Sequence, residues 1–159
     1  MSKHSKGELV DRVLLGVRRS HVDQDLFDDL AAERLGVNRT DLRVLDVLGQ
    51  EGPLPAGDLA EQSGLSRPAM TASIDRLEAV GYVRRTHTDE DRRRVTIEVT
   101  PRVMALSGAI WGPLAIEAHE DLSRLTIAEL KQLLDFLDRS ARLSARHRER
   151  LLADSAAGD

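Results

Sequence analysis

Apolar residues recur along this chain at two spacings, and the change from one to the other organises everything else. Between Glu8 and Leu35 the spacing is helical. Leu9, Val13, Leu14 and Val17 form one stripe, and Leu26, Phe27, Leu30 and Ala31 form another. The polar run Arg18-Arg19-Ser20-His21 between them is compatible with one long helix or two. Residues 1–7 are polar and predict a frayed start, and Gly36 is a stop signal. Asn38 or Thr40 caps a second helix whose buried face is Leu42, Leu45, Val47 and Leu48. Gly49-Gln50-Glu51-Gly52-Pro53 breaks it. A short helix follows at about 56–63 with Leu59 and Ala60, then a turn, Ser63-Gly64-Leu65. Ser66 caps the next helix, and Pro68 lies early in it, where its missing N–H costs little. That helix runs to Val80, with Gly81 as its stop.

From Tyr82 the period changes to two. Tyr82–Thr86 and Arg94–Val99 alternate as strands around the charged turn Thr88-Asp89-Glu90-Asp91-Arg92, which together predict a β-hairpin. Pro101 opens a further helix to about Leu122, with a kink expected near Gly112-Pro113. Thr126, with Glu129 three residues on, is a capping box for a last helix striped by Leu130, Leu133, Leu134 and Leu137. Residues 153–159 are small and polar, and the expectation there is disorder. The fold class predicted is mostly α with a small β-hairpin.

The order helix, turn, helix, hairpin between 56 and 99 carries the chemistry. A helix-turn-helix needs a small residue where its helices cross, here Ala60, and a glycine where the backbone turns left-handed, here Gly64. Met70, Ser73, Ile74 and Leu77 put one face of the second helix toward a core. Its first turn then offers free backbone N–H groups, the Ser66 hydroxyl and a basic side chain to a ligand, which is how a recognition helix meets phosphates and base edges. Arg67 is the candidate for guanine O6 and N7. Thr71 suits a thymine methyl or a phosphate, and Arg76 a phosphate. Arg84, Arg85, His87 and Arg92–Arg94 make the hairpin basic, but Asp89, Glu90 and Asp91 share its tip. An acid two residues before an arginine can hold it in one rotamer, so Asp91 is read as orienting Arg93 toward a minor groove.

Composition changes this picture little. The 159 residues carry 23 basic and 27 acidic side chains, a net charge of −4. That sum neither supports nor excludes nucleic acid, because docking depends on where the basic groups sit. With no cysteine, thiolate nucleophiles, thiolate metal sites and disulfides are excluded. No apolar run approaches a membrane span, and no signal-peptide core follows the first residues, so a cytoplasmic protein without a membrane partner is expected. The glycine-rich dinucleotide fingerprint, the two-histidine zinc motif and the serine elbow of hydrolases are all missing, and His119-Glu120 is too little for a metal site. Neither an enzyme nor a cofactor is expected. A winged helix that binds only protein or a small molecule, without an operator, is the alternative.

The stretches Thr40–Leu45, Asp58–Ser66, Ile74–Val83 and above all Asp89-Glu90-Asp91-Arg92-Arg93-Arg94 resemble the multiple antibiotic resistance regulator (MarR) family, over roughly 9–148. The resemblance implies a winged lobe at 38–100 and a helical dimerisation lobe made from 8–35 and 101–150. It implies a homodimer on a pseudo-palindromic operator in double-stranded DNA, usually as a repressor. It also implies release by a small aromatic or phenolic effector in a crevice between lobes, for which His21 and Trp111 are the candidate pocket residues. The DNA-contact set is then Ser66, Arg67, Pro68, Thr71, Arg76, Arg84, Asp91 and Arg93. Leu9, Val13, Leu130, Leu134 and Leu137 are the dimer-interface candidates. The thiol-based oxidant sensing of some relatives is closed to a chain without cysteine. This chain departs from the family pattern at Pro68, at Val103 where a glycine is common, and at Gly112-Pro113.

Overall fold

The computed structural model describes the backbone of residues 5–88 and 91–157; the side chains of 87, 88, 91–94 and 155–157 lie outside the described set. The elements are α1 (Lys6–Leu35), α2 (Arg39–Glu51), β1 (Leu54–Pro55), α3 (Ala56–Ser63), α4 (Arg67–Ala79), β2 (Val83–Thr88), β3 (Asp91–Val99), α5 (Pro101–Ser123) and α6 (Ile127–Ala157). They fall into two compact units, Met1–Ile110 and Trp111–Asp159.

In the first unit α1 is a single helix through the polar run at 18–21. It begins earlier than periodicity predicts. Ser5 and Glu8 form a reciprocal capping box, so polar residues that looked frayed are the helix start. Only its last turns are covered, with Ala31, Ala32 and Leu35 buried. Asn38, rather than Thr40, caps α2 by accepting from the Asp41 N–H at 2.8 Å. The buried face of α2 is Leu42, Val44, Leu45 and Leu48, while Val47 is half-buried. These side chains pack with Leu59 and Ala60 of α3, Met70, Ile74 and Leu77 of α4, and Val83 and Ile97 of the sheet in one apolar core. Gly64 ends α3 at φ 66°, a left-handed backbone that side chains with a Cβ rarely adopt. Its N–H closes on the Ala60 and Glu61 carbonyls, which turns the chain directly into α4.

The sheet has three strands in the order β1-β3-β2, all antiparallel. The hairpin was expected, but β1 was not. Two residues carry no period, and Leu54 and Pro55 are strand only because they lie against Ile97 and Thr96. The base of the hairpin is fixed to the end of α1 and the start of α5. The Tyr82 hydroxyl donates to the Leu35 carbonyl at 2.8 Å, Thr100 Oγ1 donates to the Gly81 carbonyl at 2.7 Å, and the Arg102 guanidinium lies 5.5 Å from the Tyr82 ring centre.

In the second unit Thr126 and Glu129 form the expected capping box at the start of α6. The Thr126 hydroxyl and backbone N–H both donate to the Glu129 carboxylate and hold it below its ordinary pKa. The helix then continues to Ala157, so 153–157 is helical where disorder was expected. Across the two units much apolar surface is left open. Leu9, Val13, Leu14, Leu26 and Leu30 of α1, and Ile127, Leu134, Leu137 and Leu151 of α6, are all exposed. Of the five interface candidates, Leu9, Val13, Leu134 and Leu137 are exposed and Leu130 is half-buried. No described helix is long and apolar enough to cross a membrane.

Candidate nucleic-acid interface

The start of α4 is built as the sequence predicts. Met70, Ser73, Ile74 and Leu77 are buried, so the opposite face of the helix, with Arg67, Thr71 and Asp75, is exposed. Ser66 is extended at φ −67°, ψ 155°, and its Oγ accepts from the Ala69 N–H at 3.4 Å. Pro68 occupies the first turn, so that turn has one amide donor fewer, at a position where no intrahelical bond is lost. The Thr71 hydroxyl donates back to the Arg67 carbonyl at 3.1 Å. Its oxygen lone pairs and methyl therefore remain for an outside partner, but its proton is already in use. Ser66, Arg67, Pro68 and Thr71 thus share one exposed helix start.

Arg39, Arg84 and Arg85 of this unit are ion-paired. Arg84 is directly across the ladder from Glu98, and its Nε donates to the Glu98 carboxylate. Arg85 reaches back from β2 to α4, donating to Asp75 at 2.7 Å and also to Glu78. The two α4 carboxylates that would repel a phosphate backbone are thereby matched by a cation. Arg39 at the start of α2 contacts Asp25, Asp28 and Asp29 of α1 at 3.2, 3.3 and 3.2 Å. Among the described residues, Arg67 has no ion-pair partner. Asp91 and Arg93 are on β3, but their side chains lie outside the described residues.

Arg76 turns inward. Its Nε donates to Asp41 Oδ2 at 2.9 Å and its Nη2 to Asp41 Oδ1 at 2.6 Å. Ser73 Oγ donates to the same carboxylate at 2.5 Å and Asn38 Nδ2 at 2.9 Å. Burial alone would raise the Asp41 pKa. The hydrogen bonds from Arg76 and Ser73, the Arg76 charge and the Asn38 bond together outweigh burial, and the carboxyl is held below its ordinary value. Asp41 was not among the candidates, although a signal was present: it shares the helical spacing of the buried Val44, Leu45 and Leu48. An acid on a buried stripe needs a partner, and Arg76 is a residue that can supply one. Between the start of α2 and the exposed side of α4 runs a groove of about 560 Å³, lined by Asn38, Arg39, Thr40, Ala69, Ala72 and Arg76.

The two candidate pocket residues fall in different units. His21 is exposed on α1 in the first, and Trp111 is half-buried on α5 in the second. Among the described residues no cluster of three or more His, Asp or Glu side chains is placed to hold a metal ion.

Comparison with known proteins agrees with this geometry. Residues 35–94, which run from the end of α1 into the first part of β3, match the model of the MarR family. The chain is 35% identical over 151 residues to the helix-turn-helix transcriptional regulator YcgE of Bacillus subtilis (strain 168), covering 94% of this chain and 97% of that protein. It is 34% identical over 101 residues to the transcriptional repressor MdtR of the same organism, 63% of this chain and 64% of that one. Among solved structures it is similar to NadR in complex with 4-hydroxyphenylacetate, at a TM-score of 0.59 and 26% identity, covering 89% of this chain and 96% of that one. YcgE and MdtR are transcriptional regulators rather than enzymes. With its capped recognition helix and wing, the chain belongs to the MarR family of winged helix-turn-helix proteins and is a sequence-specific, DNA-binding transcriptional regulator.

Proposed function

We propose that the protein is a homodimeric, cytoplasmic repressor that lays its two α4 helices in successive major grooves of a pseudo-palindromic operator and lets go when a small aromatic or phenolic molecule binds. The observation that carries the DNA-reading part is Arg67: an exposed arginine without an ion-pair partner among the described residues, on the first turn of a capped helix whose other face is buried. Arg67 reads a base edge, Ser66 and Pro68 set the helix start against the backbone, and Thr71 accepts from or packs on what lies beside it. Arg84 contributes at the side of the wing, and Arg93, oriented by Asp91, enters the flanking minor groove. The dimer lobe is 8–35 with 101–150, and the winged lobe is 38–100. The open apolar stripes on α1 and α6 support self-association, because surfaces of that extent are covered in a stable protein. Repression is supported by the likeness to MdtR, and a phenolic effector by the likeness to NadR, which was crystallised with one.

The test compares variants on matched and mismatched duplexes at several salt concentrations. Arg67→Ala loses about 1–3 kcal/mol of discrimination at one base pair per half-site and flattens preference among operator variants. Arg93→Ala weakens binding to most duplexes and lowers the salt slope by roughly one contact per subunit. Asp91→Ala follows Arg93→Ala more mildly. Tighter binding by Asp91→Ala would show the acid to be a plain repulsive charge. Undiminished discrimination by Arg67→Ala would remove the reading assigned to α4.

A further inference from the structure

Asp41 does more than satisfy a buried hydrogen-bonding group. A carboxylate offers about four lone-pair positions, and Arg76 Nε, Arg76 Nη2, Ser73 Oγ and Asn38 Nδ2 use them in four bonds of 2.5–2.9 Å. The side chain of Asp41 is 4% exposed, whereas that of Arg76 is 49% exposed. Arg76 therefore lines the groove between α2 and α4 as a visible cation whose charge is already matched from beneath. Two of its three guanidinium nitrogens point into the protein. Counterion release on DNA needs a net positive group, and the Asp41–Arg76 pair has none.

We propose that Asp41 is a positioning residue for DNA recognition: it locks α4 to the start of α2 and withholds Arg76 from the phosphate backbone, so that indiscriminate electrostatic affinity is kept low. This rests on the reading of α4 as the DNA-facing helix. It revises the role that sequence spacing suggests for Arg76, from a phosphate contact to a cation held in reserve. Arg85 is likewise matched, by Asp75 and Glu78, whereas Arg67 has no ion-pair partner among the described residues. A chain of net charge −4 that must find one site among many gains selectivity from a low non-specific term.

The experiment measures the salt dependence of binding to sonicated calf-thymus DNA for the wild type, Asp41→Asn, and Asp41→Asn with Arg76→Gln. Asparagine keeps the size of Asp41 and one of its two acceptor oxygens, and it frees the arginine charge. The expected result is a slope of log K against log salt that is steeper for Asp41→Asn by about 0.9 per subunit, tighter binding at low salt, and return to the wild-type slope in the double variant. A merely structural role would weaken binding and leave the slope alone. An unchanged slope in Asp41→Asn, or a steeper slope that persists without Arg76, overturns the proposal. The wild type supplies an independent check that does not depend on a variant folding. The Arg76 Nε–H resonance is expected to stay protected and unshifted when calf-thymus DNA is added, and a shift to a contacted state overturns the proposal. Failure of the wild type to bind any duplex would instead strike the DNA-facing reading itself.

Discussion

At the scale of single residues, the winged unit is governed by where charge is matched. Burying a carboxylate costs several kcal/mol unless it is paired and hydrogen-bonded, and Asp41 is both. Because its folded-state pKa is depressed below the unfolded value, its stabilisation is fully present above the ordinary carboxylate range. It fades as pH falls through the folded value. Hydrogen bonds to a charged group are worth about 1.5–3 kcal/mol each, and the half-exposed Arg76 places this pair toward the lower end. Urea denaturation from neutral pH into the acid range is therefore expected to show the wild type losing stability more steeply than Asp41→Asn, which starts lower but lacks that titration. Parallel acid limbs in the two proteins would contradict the pairing. Half of this residue-scale arrangement was legible in the sequence. Ser66, Arg67 and Thr71 follow from local cap and helix spacing. The Asp41–Arg76 pair joins residues 35 apart, and no local period reports on a partner that distant.

At the scale of elements, the turn between α3 and α4 decides where the recognition helix points. Gly64 has φ 66° with open space around the position of a Cβ, so an alanine there would meet no neighbour and suffer only from the left-handed backbone. Gly64→Ala is expected to destabilise the fold by about 1–2 kcal/mol, seen as a lower Tm, and to weaken DNA binding beyond what the lost stability explains, because strain relieved at the turn is strain passed to the α4 entry. A variant with normal Tm and normal affinity would show that the turn tolerates the change. Elements with their own period were legible: α4 with its four buried positions and the alternation of Val95, Ile97 and Val99 are examples. Elements defined by a partner were not. Leu54 and Pro55 become a strand only beside β3, and the beginning of α1 and the end of α6 are polar helix, which carries no apolar stripe to announce it.

At the scale of the molecule, open apolar stripes on α1 and α6 and a recognition helix carrying a single unpaired arginine among the described residues make sense together in a two-fold assembly. One helix reads only a few base pairs, so useful specificity comes from two copies held at a fixed separation. The symmetry of the protein is then written into the DNA it selects. The measurement that tests this most directly is selection of bound duplexes from a random pool by the full chain, followed by alignment of the enriched sequences. The account predicts an inverted repeat whose half-site centres lie about one helical turn apart, roughly 10–10.5 base pairs or a multiple of it, with guanine enriched where Arg67 enters and A·T-rich flanks where the wing lies. Enrichment of a single asymmetric site, or of no sequence at all, would contradict it.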